Sequence, residues 1–332
     1  MSHDLPASVR AAILDLTAGQ GAAALAAGQG ALSAAYRAGR SSAQTVRGGD
    51  DVAAYLLARL PATYAATHRV LAELIDRVPD FVPRTLADLG CGPGTASLAA
   101  LDWFPDLEAI RAVDANRSFL DIAPRLLAAS GLAAASALDV KKADFRSLPA
   151  DAPRSDLTIL AYALVECSEA EAASIVRRLY ALTDQALVLV EPGSRAGFAR
   201  IRAARAALVA AGAQIVGPCT HAAACPIIDP DWCHFAVRLS RSREHRRIKQ
   251  ADAPFEDEKF SYLIARRASP VPSGDGRIIA PAYHGKGGSQ FRLCTADGVQ
   301  AVTLRARDVG HKTRRKLDWG DIFPQTDSPD GL

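Results

Sequence analysis

The sequence predicts an α/β fold: a mostly parallel sheet with helices on both faces, preceded by a helical region and followed by a small β extension. Three observations predict it. After Pro83, short β-branched or Leu-rich runs alternate with helical ones, the pattern of parallel strands joined by crossover helices. A glycine loop, Gly90-Cys91-Gly92-Pro93-Gly94, sits where the first of these strands meets its helix. The chain has 332 residues, 49% hydrophobic and 23% charged, an ordinary globular composition long enough for one large core and an appended part.

The elements follow in order. Residues 1–80 carry no strand signal and read as Ala-rich helices at Ser8 to Ala18, Ala31 to Ala38 and Asp50 to Arg77, the last interrupted by Pro61. Strands are expected at Thr85 to Leu89, Glu108 to Asp114, Leu138 to Ala143, Leu157 to Tyr162 and Ala186 to Glu191, with helices beginning near Thr95, Ser118, Ser168 and Arg195. From Gly217 onward Cys, His and Pro cluster, an arginine-rich run follows, and Phe260 to Arg266 reads as another strand. Arg277 to Arg307 is strand-like and punctuated by Gly, a small β element. Three parts result: a helical region at 1–80, a Rossmann-like domain at 81–216, and a cysteine-rich, basic part at 217–332 that completes the sheet and adds the β element.

Composition excludes some classes. No run of about eighteen apolar residues exists, because the Ala/Gly stretch from Gly21 to Ala35 is only weakly hydrophobic and contains Gln29. No membrane partner is expected. The start, Met-Ser-His-Asp-Leu-Pro, lacks a basic segment leading into an apolar one, and Asp4 argues against an acid-poor transit peptide, so the expectation is a cytoplasmic protein. There the six cysteines are more readily metal ligands or buried thiols than disulfides.

The loop in Ala87-Asp88-Leu89-Gly90-Cys91-Gly92-Pro93-Gly94-Thr95 spaces its glycines G-x-G-x-G, not the G-x-G-x-x-G of a dinucleotide site. With Asp88 in front, it resembles the first motif of class I S-adenosylmethionine-dependent methyltransferases, and the resemblance implies a Rossmann-like methyltransferase sheet that binds S-adenosylmethionine. Asp88, Gly90, Gly92 and Gly94 are its expected cofactor residues. Asp114, 24 residues after Gly90, stands where that family places the acid whose two oxygens accept from the ribose hydroxyls. Asp144 matches the adenine position. After the fourth strand a base-methylating enzyme would show Asn/Asp-Pro-Pro-aromatic. This chain has Leu160-Ala161-Tyr162-Ala163-Leu164-Val165-Glu166, so catalysis is left to the candidates Tyr162 and Glu166. Cys91 reads as a small filler of the loop.

Setting Cys91 and Cys167 aside leaves Cys219, Cys225, Cys233 and Cys294. Four thiolates can hold zinc or an iron–sulfur cluster, yet the intervals fit neither a zinc ribbon nor a ferredoxin run, and free buried cysteines are the competing reading. His221, His234 and His245 read as neighbours of such a site or as RNA contacts. Together with Ala54-Tyr55-Leu56-Leu57-Ala58-Arg59-Leu60-Pro61-Ala62-Thr63-Tyr64, Glu191-Pro192-Gly193 and Trp319-Gly320-Asp321, the loop and cysteines make the chain resemble the ribosomal small-subunit Rsm-twenty-two family, methyltransferase-like assembly factors. That resemblance implies a [4Fe-4S] cluster on Cys219, Cys225, Cys233 and Cys294, with zinc as the alternative.

The net charge is only +3, but it divides into −3 over residues 1–200 and +6 over residues 201–332. Arg238, Arg241, Arg243, Arg246, Arg247 and Lys249 form one basic run and Lys312, Arg314, Arg315 and Lys316 a second, both flanking the cysteines. Arginine pairs with phosphate and stacks on bases, so these ten residues are the expected rRNA footprint. The leading expectation is a monomeric factor of the small ribosomal subunit. An active rRNA methyltransferase is the second, and a small-molecule or protein methyltransferase with a structural metal site the third.

Overall fold

The computed structural model describes residues 2–37, 45–46, 48–132, 137–249, 251–267, 276–309 and 311–323. Helices Ala7–Leu16, Ala22–Arg37, Gly49–Ala58 and Leu60–Arg77 precede the sheet. The expected break at Pro61 is a junction between two helices, with Pro61 in the first turn of the second, where its missing N–H removes no helical hydrogen bond. The second helix begins nine residues ahead of the expected Ala31, at Ala22, and Ala38 falls outside the described residues.

The large sheet comprises β1 (Thr85–Leu89), β2 (Ala109–Asp114), β3 (Leu138–Lys142), β4 (Ser155–Ala161), β5 (Thr183–Pro192), β6 (Gln214–Gly217), β7 (Phe235–Ser240) and β8 (Phe255–Arg266). Its order is β3-β2-β1-β4-β5-β8-β6, with β7 on β8. The first five strands are parallel, and β8 runs antiparallel to β5, β6 and β7. This mixed sheet has a Rossmann-like arrangement. Order reverses at β1, placing a crevice at the carboxyl ends of β1 and β4.

Two strands start three or more residues ahead of the sequence expectation, and β6 and β7 lie where no strand was expected. β5 starts at Thr183, whose hydroxyl is held by Thr158 Oγ1 at 2.8 Å and Leu179 O at 2.9 Å, a polar start that hydropathy does not reveal. β8 starts at Phe255, because the charged Glu256-Asp257-Glu258-Lys259 is paired with β7, hidden in the first arginine run. β6 was not anticipated; its four residues pair with the far end of β8.

A second, antiparallel sheet follows: β9 (Gly276–Ile278), β10 (Tyr283–His284), β11 (Ser289–Thr295), β12 (Gly298–Leu304) and β13 (Ile322–Phe323). Ile278, Phe291, Leu293, Val302, Leu304 and Phe323 form its own small core. A buried ion pair helps fasten it to the main body, beside the apolar packing of Ile279 and Cys294 on Phe198 and Ile227. Arg277 on β9 pairs with Glu73 of helix Leu60–Arg77, and donates from Nε to Pro218 O and from Nη1 to Gly320 O, both at 2.6 Å. Tyr262 on β8 donates to the other Glu73 oxygen at 2.5 Å.

Glu73 is therefore the acceptor that joins helix, large sheet and small sheet. Removing one partner of a buried ion pair strands the other, which costs about 3–5 kcal/mol. Glu73→Ala is expected to lower the unfolding free energy measured in urea by that order, and a loss under about 0.5 kcal/mol, the scale of neutral surface changes, would show that the small sheet is held by other means.

Candidate functional site

At the crevice, backbone N–H groups of Gly90 and Cys91 donate to Val113 O at 2.8 and 3.0 Å, tying the loop to the end of β2. Asp114 is buried; one oxygen accepts from Gly92 N at 2.8 Å and the other from Asn116 N at 2.7 Å. Burial raises its pKa. Gly90 has φ +73°, and a Cβ there would stand 2.7 Å from Ala163 Cβ. At Gly92, φ +54°, a Cβ would meet nothing nearer than 3.7 Å, so that backbone faces open pocket.

Gly90, Gly92, Asp114, Asp144, Tyr162 and Glu166 all line one pocket. Asp88 and Gly94 do not line it. The Asp88 carboxylate accepts from Ser97 N at 2.9 Å and Ser97 Oγ at 2.7 Å, fastening the loop to helix Thr95–Trp103, and burial pushes its pKa up to about 6. Gly94, φ +84°, caps that helix where a Cβ would meet Leu127 at 2.5 Å. Both shape the loop from behind. Asp144 reaches the pocket with its oxygens already accepting from Arg146 at 2.8–3.0 Å, and that guanidinium holds the carboxyl below the usual carboxylate range. Cys91 is buried, donates to Gly92 O at 3.3 Å, and has its thiol pushed well up by burial.

Tyr162 is not a free base. Its φ is +58°, rare for a non-glycine residue, and the strain is held by N–H donation to Val190 O at 2.6 Å and hydroxyl donation to Glu258 at 2.8 Å. Burial raises the phenol well above its ordinary value, so it stays protonated. Glu258 also lies 3.7 Å from Arg59. Arg59 and Tyr55, one helical turn apart, roof the pocket, with Tyr55 tilted on Phe119 at 4.7 Å. The sequence signalled them only as part of a family-like stretch; their spacing puts them on one helix face without saying what that face covers. Glu191, at the end of β5, is also a new participant. It is fully buried, accepts from Leu164 N at 2.8 Å with one oxygen while the other has no partner, and so supports the turn carrying Glu166.

The four cysteines separated by up to 75 positions line a second, small cavity with Arg205, Ile227 and Phe198. None is in a disulfide. Burial raises the Cys219 thiol and, with the neighbouring cysteines, pushes Cys233 well up; Cys294 is pushed up to about 12. Among the described residues no three His, Cys, Asp or Glu side chains converge tightly enough for one metal ion. The donor set does fit a larger anionic group. Arg205 Nε and His221 Nδ1 are buried without partners beside the thiols, and His221 Nε2 is 3.9 Å from Cys294 Sγ. His234 is stacked between Trp232 and Trp319, away from a ligand role. His245 is on the buried face of the basic helix, 3.4 Å from Glu256.

The basic runs divide. Arg238 makes a two-point pair with Asp257 at 2.8 Å, and Arg241 and Lys249 share Glu256 at 3.1 and 2.7 Å, so these three are locally neutralised. Arg314 is buried and donates to Ser289 Oγ at 3.1 Å, which corrects its expected role as an RNA contact: it anchors the small sheet. Arg243, Arg246, Arg247, Arg315 and Lys316 are exposed, and the Lys312 side chain lies outside the described residues. No described helix is long and apolar enough to cross a membrane.

A family model described as mitochondrial small ribosomal subunit Rsm22 matches residues 49–324. The human ribosome assembly protein METTL17, mitochondrial, is 30% identical over 289 residues, 81% of this chain; the chain spans 62% of that relative's length. Magnesium protoporphyrin IX methyltransferase from Synechocystis, solved with bound S-adenosylmethionine, matches at 16% identity and TM-score 0.41 over 63% of this chain and 84% of that one. Ribosomal protein L11 methylase from Lactobacillus delbrueckii matches at 16% and 0.37 over 62% and 80%. Likeness at these scores says nothing about ligand or substrate. The expectation of a cytoplasmic protein is overturned, since both the family and the human relative are mitochondrial. It rested on the composition of a few N-terminal residues, which carries no reliable address.

Burial pushes the Glu191 pKa up to about 8, from 4.5 in an unfolded chain. Between those values the unfolded state has lost the proton that the folded state keeps. Stability from this group is thus complete below pH 4.5 and declines, by about 1.4 kcal/mol per pH unit at most, as pH rises through about 8. Glu191→Gln is expected to flatten the urea stability profile over that window, and an unchanged slope would contradict a neutral Glu191.

Proposed function

The chain belongs to the family described as mitochondrial small ribosomal subunit Rsm22, and from that premise we propose that it is a small-subunit assembly protein. It holds S-adenosylmethionine at the glycine loop, a [4Fe-4S] cluster on Cys219, Cys225, Cys233 and Cys294, and rRNA against its exposed basic residues. The observation that carries the reading is convergence. In a chain of a ribosomal family, cysteines far apart in sequence line one cavity, between β8 of the large sheet and helix Arg195–Ala210, which carries Arg202 and Arg205.

The cofactor part is supported by the open backbone at Gly92 and by the Asp114 carboxylate, which can accept from vicinal hydroxyls while holding the loop. Asp144 and Phe145 stand at the adenine end, Tyr55 and Arg59 at the roof. A bound cluster would supply a cross-link between the Cys219–Cys233 segment and β11 of the small sheet, coupling metal to folding. Arg243, Arg246, Arg247, Arg315 and Lys316 supply mobile charge for phosphate. Holding the cofactor is favoured over transferring its methyl group, because the Tyr162 hydroxyl is committed to Glu258.

Purified full chain is expected to bind isolated small subunits or their rRNA with an affinity that falls as salt rises. Substituting Arg243, Arg246 and Arg247 together with Gln should reduce the logarithmic salt slope by about 0.7–0.9 per lost phosphate contact. Salt-insensitive binding, or none, would sink the rRNA reading. In calorimetry, Asp114→Ala should weaken S-adenosylmethionine at least about tenfold, ~1.4 kcal/mol. Loss of a specific rRNA methyl mark on deletion would instead favour an active methyltransferase, and an unchanged modification map favours assembly without transfer.

A further inference from the structure

Two buried arginines stand near the cysteine cavity, and they are balanced differently. Arg277 is neutralised by Glu73, and its remaining nitrogens donate to backbone carbonyls. Arg205, on helix Arg195–Ala210, is 4% exposed and lines the cavity itself. It donates from Nη2 to His221 O at 2.7 Å, its Nε has no partner, and among the described residues no carboxylate pairs with it. A guanidinium keeps its proton in proteins, so this is a buried positive charge lacking an acidic counter-group. An uncompensated charge there is costly, and the groups facing it are four thiols.

We propose that Arg205 is the counter-charge of the anionic group held by the four cysteines, and that it sets that group's retention and reduction potential. The inference rests on the [4Fe-4S] reading above. Four thiolates on an iron–sulfur core leave a net negative charge, which the Arg205 guanidinium offsets from inside the same apolar wall. His221 links the two, giving its carbonyl to Arg205 and its Nε2 to the Cys294 side. Adding an electron makes the cluster more negative, so a fixed positive neighbour favours the reduced form and raises the potential. Without the cluster Arg205 is a buried charge with no carboxylate partner among the described residues, and so a liability to the fold. Arg205 is a positioning residue: it acts through the Cys219 side chain, which lies within its hydrogen-bond reach, and through His221.

The sign reversal gives the test. Full chain, Arg205→Gln and Arg205→Lys are purified anaerobically, assayed for iron and acid-labile sulfide, and titrated with dithionite and redox dyes while the reduced cluster is followed by electron paramagnetic resonance. Melting is then compared with the cluster present and after chelation. Arg205→Gln should lower iron content or shift the oxidised-to-reduced ratio at fixed potential about tenfold toward oxidised, ~59 mV for one electron. After chelation the same variant should melt no lower than wild type. Arg205→Lys, which keeps the charge, should lie closer to wild type in potential. Unchanged iron and potential in Arg205→Gln overturn the proposal, as does equal loss in the Gln and Lys variants or a lower melting point of chelated Arg205→Gln. Wild type without iron and sulfide instead defeats the parent reading, and this inference with it.

Discussion

The structure depends on one buried carboxylate. Glu73 takes the Arg277 guanidinium on one oxygen and the Tyr262 hydroxyl on the other, and through them a helix, the large sheet and the small sheet share a point. The neighbouring chain is fitted to it: a Cβ at Gly217 would come 2.5 Å from Glu73 Oε1. Arg277 also grips Pro218 O, the carbonyl just before Cys219, and its strand partner is Cys294. The ion pair thus fixes the two ends of the cysteine set relative to each other. Low surrounding dielectric makes this arrangement stiff when complete and expensive when broken.

The cofactor crevice is built on a similar economy of acids. Asp88 and Asp114 end adjacent parallel strands, but one looks back to Ser97 and the other forward to Gly92. The difference follows from the register: the β1 residue is covered by helix Thr95–Trp103, whereas the end of β2 opens on the crevice. Glu191 and Glu258 complete the floor and roof by holding the turn of Leu164 and the strained Tyr162. Four carboxyl groups therefore organise one pocket, and only Asp114 among them lines it.

The basic C-terminal part is less uniformly basic in space than along the chain. Glu256 and Asp257, on β8, neutralise three cations of the first run, because β7 and β8 are antiparallel neighbours. The arginines left exposed belong to the helix that follows β7. Positive charge on that helix is free for a phosphate partner, while the positive charge inside, on Arg205 and Arg277, faces the cysteines.

By itself the sequence determined the layered fold, since alternating apolar periods and turn residues are local and do not depend on distant contacts. It also located the glycine loop, Asp114 and the set of four cysteines, because each is a short spacing or a rare residue type. Tertiary structure alone decided which acids reach the pocket, that Arg314 is an internal anchor, that Tyr162 is committed to Glu258, and that β7 lies inside an arginine run. Those facts rest on pairings between distant residues, 96 positions apart for Tyr162 and Glu258, and no local pattern records which buried charge meets which partner.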